Sequence, residues 1–218
     1  MIKVAAFDFD GTLADSVDFC LSVFDNVFER YMGTLAPERE AIYQCFGMNE
    51  LGVIRHFMGD NALVAEAEAY FYKLHRELHK KLCPDLYGGC RDLLDFLQMS
   101  QIPMTILTGR SETTCGISLE QLGLNKYFVN IQTGSPERND KAAQLLNLLN
   151  IFELQPEELI YVGDAVSDAE SAANAGIKCL SAAWAKSARI NELEKINPGL
   201  VFTSVGDMKQ YLAERIAR

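Results

Sequence analysis

Two aspartates separated by one residue, Asp8 and Asp10, close an apolar run that begins at Val4 and lead directly into Gly11 and Thr12. On a β-strand alternate side chains share a face, so this spacing puts both carboxylates on one side and Phe7 and Phe9 on the other. At about 4 Å and an effective dielectric of about 20, two such charges repel by roughly 4 kcal/mol. A cation or a proton must resolve that conflict, which points to a metal site, an acid/base site, or both. An acidic turn before a glycine carries the same letters, so the pair needs partners elsewhere in the chain.

Three further groups qualify. Thr108-Gly109-Arg110 follows the apolar run 102–107, and Gly163-Asp164 follows the run 159–162, with Asp168 at the start of the next helix. Lys141 opens the helix that precedes the second of these runs. Each is ordinary alone: Thr108-Gly109 can be a helix-entry turn, Asp168 a first-turn carboxylate favoured by the helix dipole, Lys141 a solvated lysine. Together they are polar groups at the carboxyl ends of strands, where open parallel sheets bind ligands.

The elements that must position these groups fall into two patterns. After the first strand, Val17, Leu21, Phe24, Phe28 and Tyr31 recur at helical spacing behind Ser16 as N-cap, and Gly33 stops the helix. Segments 37–45 and 50–58 read as shorter helices and 62–82 as one long amphipathic helix, with no strand among them. From Gly88-Gly89 onward, helices and short apolar strands alternate: helix 92–98, strand 102–107, helix 112–122, strand 128–132, helix 141–149, strand 159–162, helix 168–175, strand 178–181. A short edge strand at 201–202 and a last helix capped by Ser204 complete the series. Such alternation implies a mostly parallel sheet wrapped on both faces. The all-helical block then forms an insertion after the first strand: an α-helical cap domain of residues 15–84 on an α/β core of residues 1–14 and 85–218. The connections near 13–16 and 83–89 are the expected hinges.

Composition bounds the function. The 218 residues, 49% of them hydrophobic, suffice for one large domain or a domain with an insertion. A net charge of −10 without a basic patch argues against nucleic acid and anionic membrane as partners. The six cysteines are scattered without a Cys-x-x-Cys pair, as expected of reduced core thiols in a cytoplasmic protein. His75 and His79 have metal-ligand spacing on a helix, but their charge-rich segment reads as a solvated face. Trp184 and the run Tyr70-Phe71-Tyr72 read as packing.

In order along the chain, Asp8-Phe9-Asp10-Gly11-Thr12, Thr108, Lys141 and Gly163-Asp164-Ala165-Val166-Ser167-Asp168 resemble the four motifs of the haloacid dehalogenase-like hydrolase superfamily. The Ala172-Ala173-Asn174-Ala175-Gly176 stretch and the helical insertion after the first motif extend the resemblance over nearly the whole chain. The resemblance implies a Rossmann-like, doubly wound parallel sheet with a small helical cap. One departure concerns the third motif, whose lysine is usually followed by proline: Ala142 follows Lys141, and the nearby Arg138 competes for the role.

The resemblance also implies roles. Asp8 would be the nucleophile that forms an aspartyl-phosphate, and Asp10 the acid toward the leaving alcohol and then the base toward water. Mg²⁺ would be held by Asp8, Asp164 and the Asp10 carbonyl, with Asp168 a ligand or an orienter. Thr108 and the backbone about Gly11 and Gly109 would hold phosphoryl oxygens, while Lys141 neutralises charge. Gly47 lies in a loop that resembles the family's specificity loop. Arg110 is expected either to meet a second anionic group on the substrate or to form a surface salt bridge.

Dehalogenases in the superfamily lack the second aspartate, so Asp10 favours phosphate esters. The expected activity is that of a Mg²⁺-dependent phosphatase on a small phosphorylated metabolite, similar to phosphoglycolate phosphatases. The alternative is a phosphomutase of the β-phosphoglucomutase type. The expected state is a cytoplasmic monomer or homodimer.

Overall fold

A computed structural model describes residues 1–137, 140–186 and 188–216. Its six strands are β1 (Val4–Phe7), β2 (Met104–Leu107), β3 (Phe128–Gln132), β4 (Leu159–Gly163), β5 (Lys178–Ala182) and β6 (Val201–Phe202). They form one parallel sheet in the order β3-β2-β1-β4-β5-β6. The central strands β1, β2 and β4 are buried at every residue, as a sheet covered on both faces requires. The edge strand β3 instead alternates between half-buried and exposed residues.

Alternation along β1 divides the core. Ala5, Phe7 and Phe9 join one apolar cluster with Ile106, Ile160 and Val162, while Val4 and Ala6 join a second with Leu159 and Tyr161. The second cluster is closed by Leu145 and Leu148 of α7 (Lys141–Ile151) and by Ala169 and Ala172 of α8 (Val166–Asn174). The chain moves outward from β1 through β2 and β3, then returns to lay β4 on the other side of β1. The order therefore reverses beside β1, which is where such sheets open a crevice.

Between β1 and β2 stand α1 (Val17–Met32), α2 (Arg39–Gln44), α3 (Glu50–Met58), α4 (Val64–Leu82) and α5 (Cys90–Met99). Helices α1 to α4 fall within the expected helical insertion after the first strand, α5 lies beyond it as expected of the core, and the fold is the α/β architecture read from the sequence. The two connections run side by side. Ala14 bridges Leu86, and the Tyr87 N–H donates to the Leu13 carbonyl at 2.9 Å. The other helices are α6 (Glu112–Gln121), α9 (Ile190–Ile196) and α10 (Val205–Ile216). Ser204 caps α10 by accepting from the Asp207 N–H at 3.1 Å.

Two local expectations are corrected and one helix is added. Ser16 precedes α1, but its hydroxyl caps nothing; it donates to Asp10 Oδ1 at 2.6 Å. Helix α9 was not expected, although Ile190, Leu193 and Ile196 at intervals of three mark its face and Leu193 is buried. His75 and His79 lie on no solvated face: both are fully buried, continuing the stripe Ala67, Phe71 along α4 at intervals of four. The six cysteines are buried and none forms a disulfide, as expected of reduced core thiols. No helix among the described residues is long and apolar enough to cross a membrane.

Candidate active site

Asp8, Thr108 and Asp164 each follow directly on a strand, and those strands are neighbours: β1 pairs with β2 on one side and β4 on the other. The Asp8 N–H continues the ladder by donating to the Val162 carbonyl at 2.8 Å. Gly11 turns the chain with φ +78°, and a Cβ there would run into the Asp164 carboxylate. Thr12 then donates to Asp164 Oδ1 at 3.1 Å. Gly163 is likewise dictated by contact, since its Cβ would meet the Asp168 carboxylate.

Lys141, the first residue of α7, ties the acidic groups together. Its Nζ lies 2.6 Å from Asp168 Oδ1 and 3.4 Å from Asp8 Oδ1. It also donates to the Tyr161 hydroxyl at 3.1 Å, which in turn donates to Asp168 Oδ1 at 2.9 Å. The other oxygen of Asp168 accepts from the Ala165 N–H at 3.0 Å, across the start of α8. Burial opposes charge on Lys141, but Asp168 and then Asp8 hold its pKa above the ordinary lysine value. Arg138, its competitor for the third-motif role, lies outside the described residues.

Asp8, Asp164 and Asp168 bring carboxylate oxygens within 4.8 Å of one another. Burial, with repulsion among the three, raises the pKa of Asp8 well above the carboxylate range and that of Asp164 to about 7. Three carboxylates, Asp8 and Asp168 buried and Asp164 half-buried, against one ammonium form a hard, oxygen-only donor set with excess negative charge. That set fits a hard divalent cation such as Mg²⁺.

Asp10 stands apart from this cluster. Arg110 grips it with Nε at 2.8 Å from Oδ2 and Nη2 at 2.6 Å from Oδ1. Burial opposes the Asp10 charge, yet Arg110 and the Ser16 hydroxyl hold its pKa below the usual value. The repulsion expected between the two aspartates is thus met by a separate cation for each. Arg110 forms no surface bridge: it is 4% exposed. Its Nη1 donates to Ser118 Oγ at 2.6 Å and to His75 Nε2 at 3.2 Å, and the guanidinium sits 4.8 Å above the Phe9 ring. Ser118 lies 2.9 Å from His79 Nε2. Sequence reasoning missed both histidines as partners of the site, and the four-residue stripe on α4 was the signal that could have found them.

The remaining residues flank a cavity of about 370 Å³, small for a ligand site. Gly47, Gly109, Arg110, Asp8, Asp10, Lys141 and Asp164 line it. Gly47, in the turn between α2 and α3, approaches Gly109 so closely that a Cβ on Gly109 would lie 3.8 Å from the Gly47 backbone. Thr108 is buried, and its Oγ1 accepts from the Arg110 N–H at 3.3 Å. The insertion is anchored here by α3. Asn49 caps that helix and its backbone N–H donates to the Ser135 carbonyl at 2.9 Å, while Glu50 accepts from the Ser111 N–H at 2.9 Å and from the Thr114 hydroxyl.

An acidic cluster, a lysine and a cavity at the switch point of a doubly wound sheet make an α/β core with a site suited to phosphoryl chemistry. The comparisons agree. Residues 5–182 match the family model described as haloacid dehalogenase-like hydrolase. A phosphoglycolate phosphatase of Chromobacterium violaceum is 31% identical over 192 residues, covering 84% of this chain and 86% of that one. A phosphoglycolate phosphatase of Pseudomonas putida is 28% identical over 188 residues, covering 82% and 68%. Among solved structures, a predicted phosphoglycolate phosphatase from Haemophilus somnus superposes with a TM-score of 0.81 at 17% identity, covering 97% of this chain and 98% of that one. The chain belongs to the haloacid dehalogenase-like hydrolases, in the branch with a helical insertion after the first strand that includes the phosphoglycolate phosphatases. It is an enzyme of the hydrolase class, and its curated relatives are phosphatases.

Proposed function

We propose that this protein is a Mg²⁺-dependent phosphomonoesterase that works through an aspartyl-phosphate on Asp8. The observation that carries the reading is the convergence of Asp8, Asp164 and Lys141 on one cavity edge, with Asp168 buried behind Lys141. Asp8, Asp164 and the Asp10 carbonyl would hold Mg²⁺, which supplies charge neutralisation for the phosphoryl oxygens. Lys141, fixed by Asp168 and Tyr161, neutralises the remaining charge as it builds on the transferring group. Asp168 therefore acts by positioning Lys141. The Thr108 hydroxyl and the N–H groups around Gly11 and Gly109 bind phosphoryl oxygens.

Asp8 attacks phosphorus in line and the ester oxygen departs; water then attacks the aspartyl-phosphate and returns Asp8 with release of inorganic phosphate. Asp10 is the group beside Asp8 for proton delivery to the leaving alcohol and proton removal from the attacking water; because Arg110 holds it ionised here, it takes up its proton only when that pair opens. Residues 15–84 act as the cap, closing the cavity against bulk water.

The test is turnover of p-nitrophenyl phosphate by the purified protein with and without Mg²⁺. Activity that requires Mg²⁺ and is abolished in a folded Asp8→Asn protein is expected. Undiminished turnover in that variant would refute the role of Asp8. Isomerisation of a sugar phosphate primed by its bisphosphate, in place of phosphate release, would assign the chain to the mutases instead.

A further inference from the structure

The names of the curated relatives suggest a substrate with a carboxylate, phosphoglycolate. The cavity is built for something else. Its wall from the insertion is mostly apolar: Val17 and Phe24 from α1, Phe46 and Met48 from the turn before α3, Val53 from α3 and Phe71 from α4, with Tyr43 and Gln44 of α2 as its polar members besides Glu50. Val17, Phe46 and Met48 are half-buried and face the cavity, backed by the buried Phe24, Val53 and Phe71, with Phe24 packed on Phe71 at a ring-centroid distance of 4.5 Å. These are fixed surfaces.

The charges on the cavity are equally informative. Glu50 lines it from the insertion side with a carboxylate, buried and held by Ser111 and Thr114. Among the described residues its lining cations are Arg110 and Lys141, each buried against a carboxylate, and Arg189, which is exposed at the rim and meets Glu192 only at the surface. Arg110 is committed on several sides, to Asp10, Ser118, His75 and the Phe9 face. Withdrawing it toward a substrate carboxylate would leave the half-buried Asp10 charge without its cation. A carboxylate in this cavity would lose its hydration against rings and methyl groups and face Glu50 besides. An apolar group would lose nothing and bury surface.

We infer that the group esterified to the phosphate is neutral and apolar, an aryl, arylalkyl or branched alkyl chain, in place of a carboxylate-bearing one. This rests on the phosphomonoesterase reading above and adds the substrate class. The size agrees, since about 370 Å³ is the volume of roughly a dozen waters. Selectivity arises because the correct substrate fills the cap-side wall while an acidic one leaves a buried charge unpaired.

The test compares benzyl phosphate with 4-carboxybenzyl phosphate and phosphoglycolate on the full chain with Mg²⁺. The two benzyl esters release alcohols of nearly equal acidity, so their ratio reports the cavity. A kcat/KM at least tenfold higher for benzyl phosphate than for either acidic ester is expected. Equal rates, or preference for an acidic ester, overturn the inference while leaving the phosphatase reading intact. Calorimetric binding of benzylphosphonate and 4-carboxybenzylphosphonate separates the other case. Tenfold tighter binding of the neutral phosphonate by a protein that hydrolyses no ester upholds the cavity assignment and refutes the phosphatase reading. Failure to bind or hydrolyse any of them refutes both. Glu50→Gln should narrow the preference several-fold by removing the opposing charge.

Discussion

The bond between Arg110 and Asp10 makes a quantitative demand on stability. Arg110 is 4% exposed and the Asp10 side chain 21%, and the guanidinium donates to both oxygens of the carboxylate. Replacing Arg110 with Met removes the charge and roughly keeps the stem, so Asp10 is left with Ser16 as its principal donor. Breaking one side of a buried pair costs about 3–5 kcal/mol, because the surviving charge has no partner. At about 2–4 °C per kcal/mol for a chain of this size, Arg110→Met should lower Tm by roughly 6–20 °C. Asp10→Asn strands the arginine in turn, although Ser118 and His75 still accept from it, so its cost falls at the lower end of that range. The double variant has no uncompensated charge and must be less destabilised than the two singles predict. Urea unfolding of all four proteins, followed by circular dichroism, yields the coupling energy, expected to be at least about 2 kcal/mol. Additive costs, with Arg110→Met acting only on KM, would mean that Arg110 serves the substrate and refute this account of the pair.

Other outcomes follow from the same geometry. Gly11→Ala forces a side chain into φ +78° and against the Asp164 carboxylate, so it should cost more than about 1 kcal/mol in thermal unfolding and abolish aryl phosphate turnover. Burial and then Arg110 lower the pKa of His75 to about 2 and of His79 to about 4, so below about 6.5 the unfolded chain binds protons that the folded chain refuses. Stability should be full above that pH and fall toward pH 4 by up to about 1.4 kcal/mol per unit per histidine, and a His75→Gln protein whose unfolding midpoint falls just as steeply would count against it. Inorganic phosphate should raise Tm only when Mg²⁺ is present, because the bare site carries more carboxylates than cations; a shift with phosphate alone would contradict that charge balance. All six cysteines are buried thiols, so a thiol reagent should titrate them only as the protein unfolds, and a fast-reacting thiol in the native protein would contradict the packing.

The sequence was most legible where local rules and topology agree. Fully apolar runs bounded by Gly, Asp and Thr gave the central strands, and alternation with helices gave a parallel sheet with its polar groups at one edge. Asp8, Lys141, Asp164 and Asp168 could be gathered from the sequence because each sits at a strand end or a helix start, positions whose place in such a sheet is fixed. What the sequence hid lies where side chains meet across elements. Ser16 has the letter of an N-cap, yet an anion nearby competed for its hydroxyl and won. The charge-rich segment around His75 and His79 masked a buried stripe, because Lys and Glu fill the other faces of α4 while every fourth residue turns inward. The fate of Arg110 depended on Ser118, His75 and Asp10 arriving from three different elements, which no local pattern encodes.

Two aspartates two residues apart thus come to serve unlike tasks. Asp8 faces two further carboxylates with one shared ammonium, a cluster short of positive charge that is satisfied when a dication joins it. Asp10 faces a guanidinium of its own and needs no further cation. The chain achieves the separation by ending β1 at Phe7 and turning at Gly11, so that Asp8 follows the ladder toward Lys141 while Asp10 bridges to Ala14. Division of labour between paired carboxylates follows from their surroundings. Here the surroundings come from opposite directions: Lys141 and Asp168 from the helices that flank β4, and Arg110, His75 and Ser16 from the β2 end and the insertion. Asp8 is therefore tied to the rigid sheet and its helices. Asp10 is tied through Arg110 and His75 to the insertion, so a displacement of α4 bears on Asp10 before it bears on Asp8.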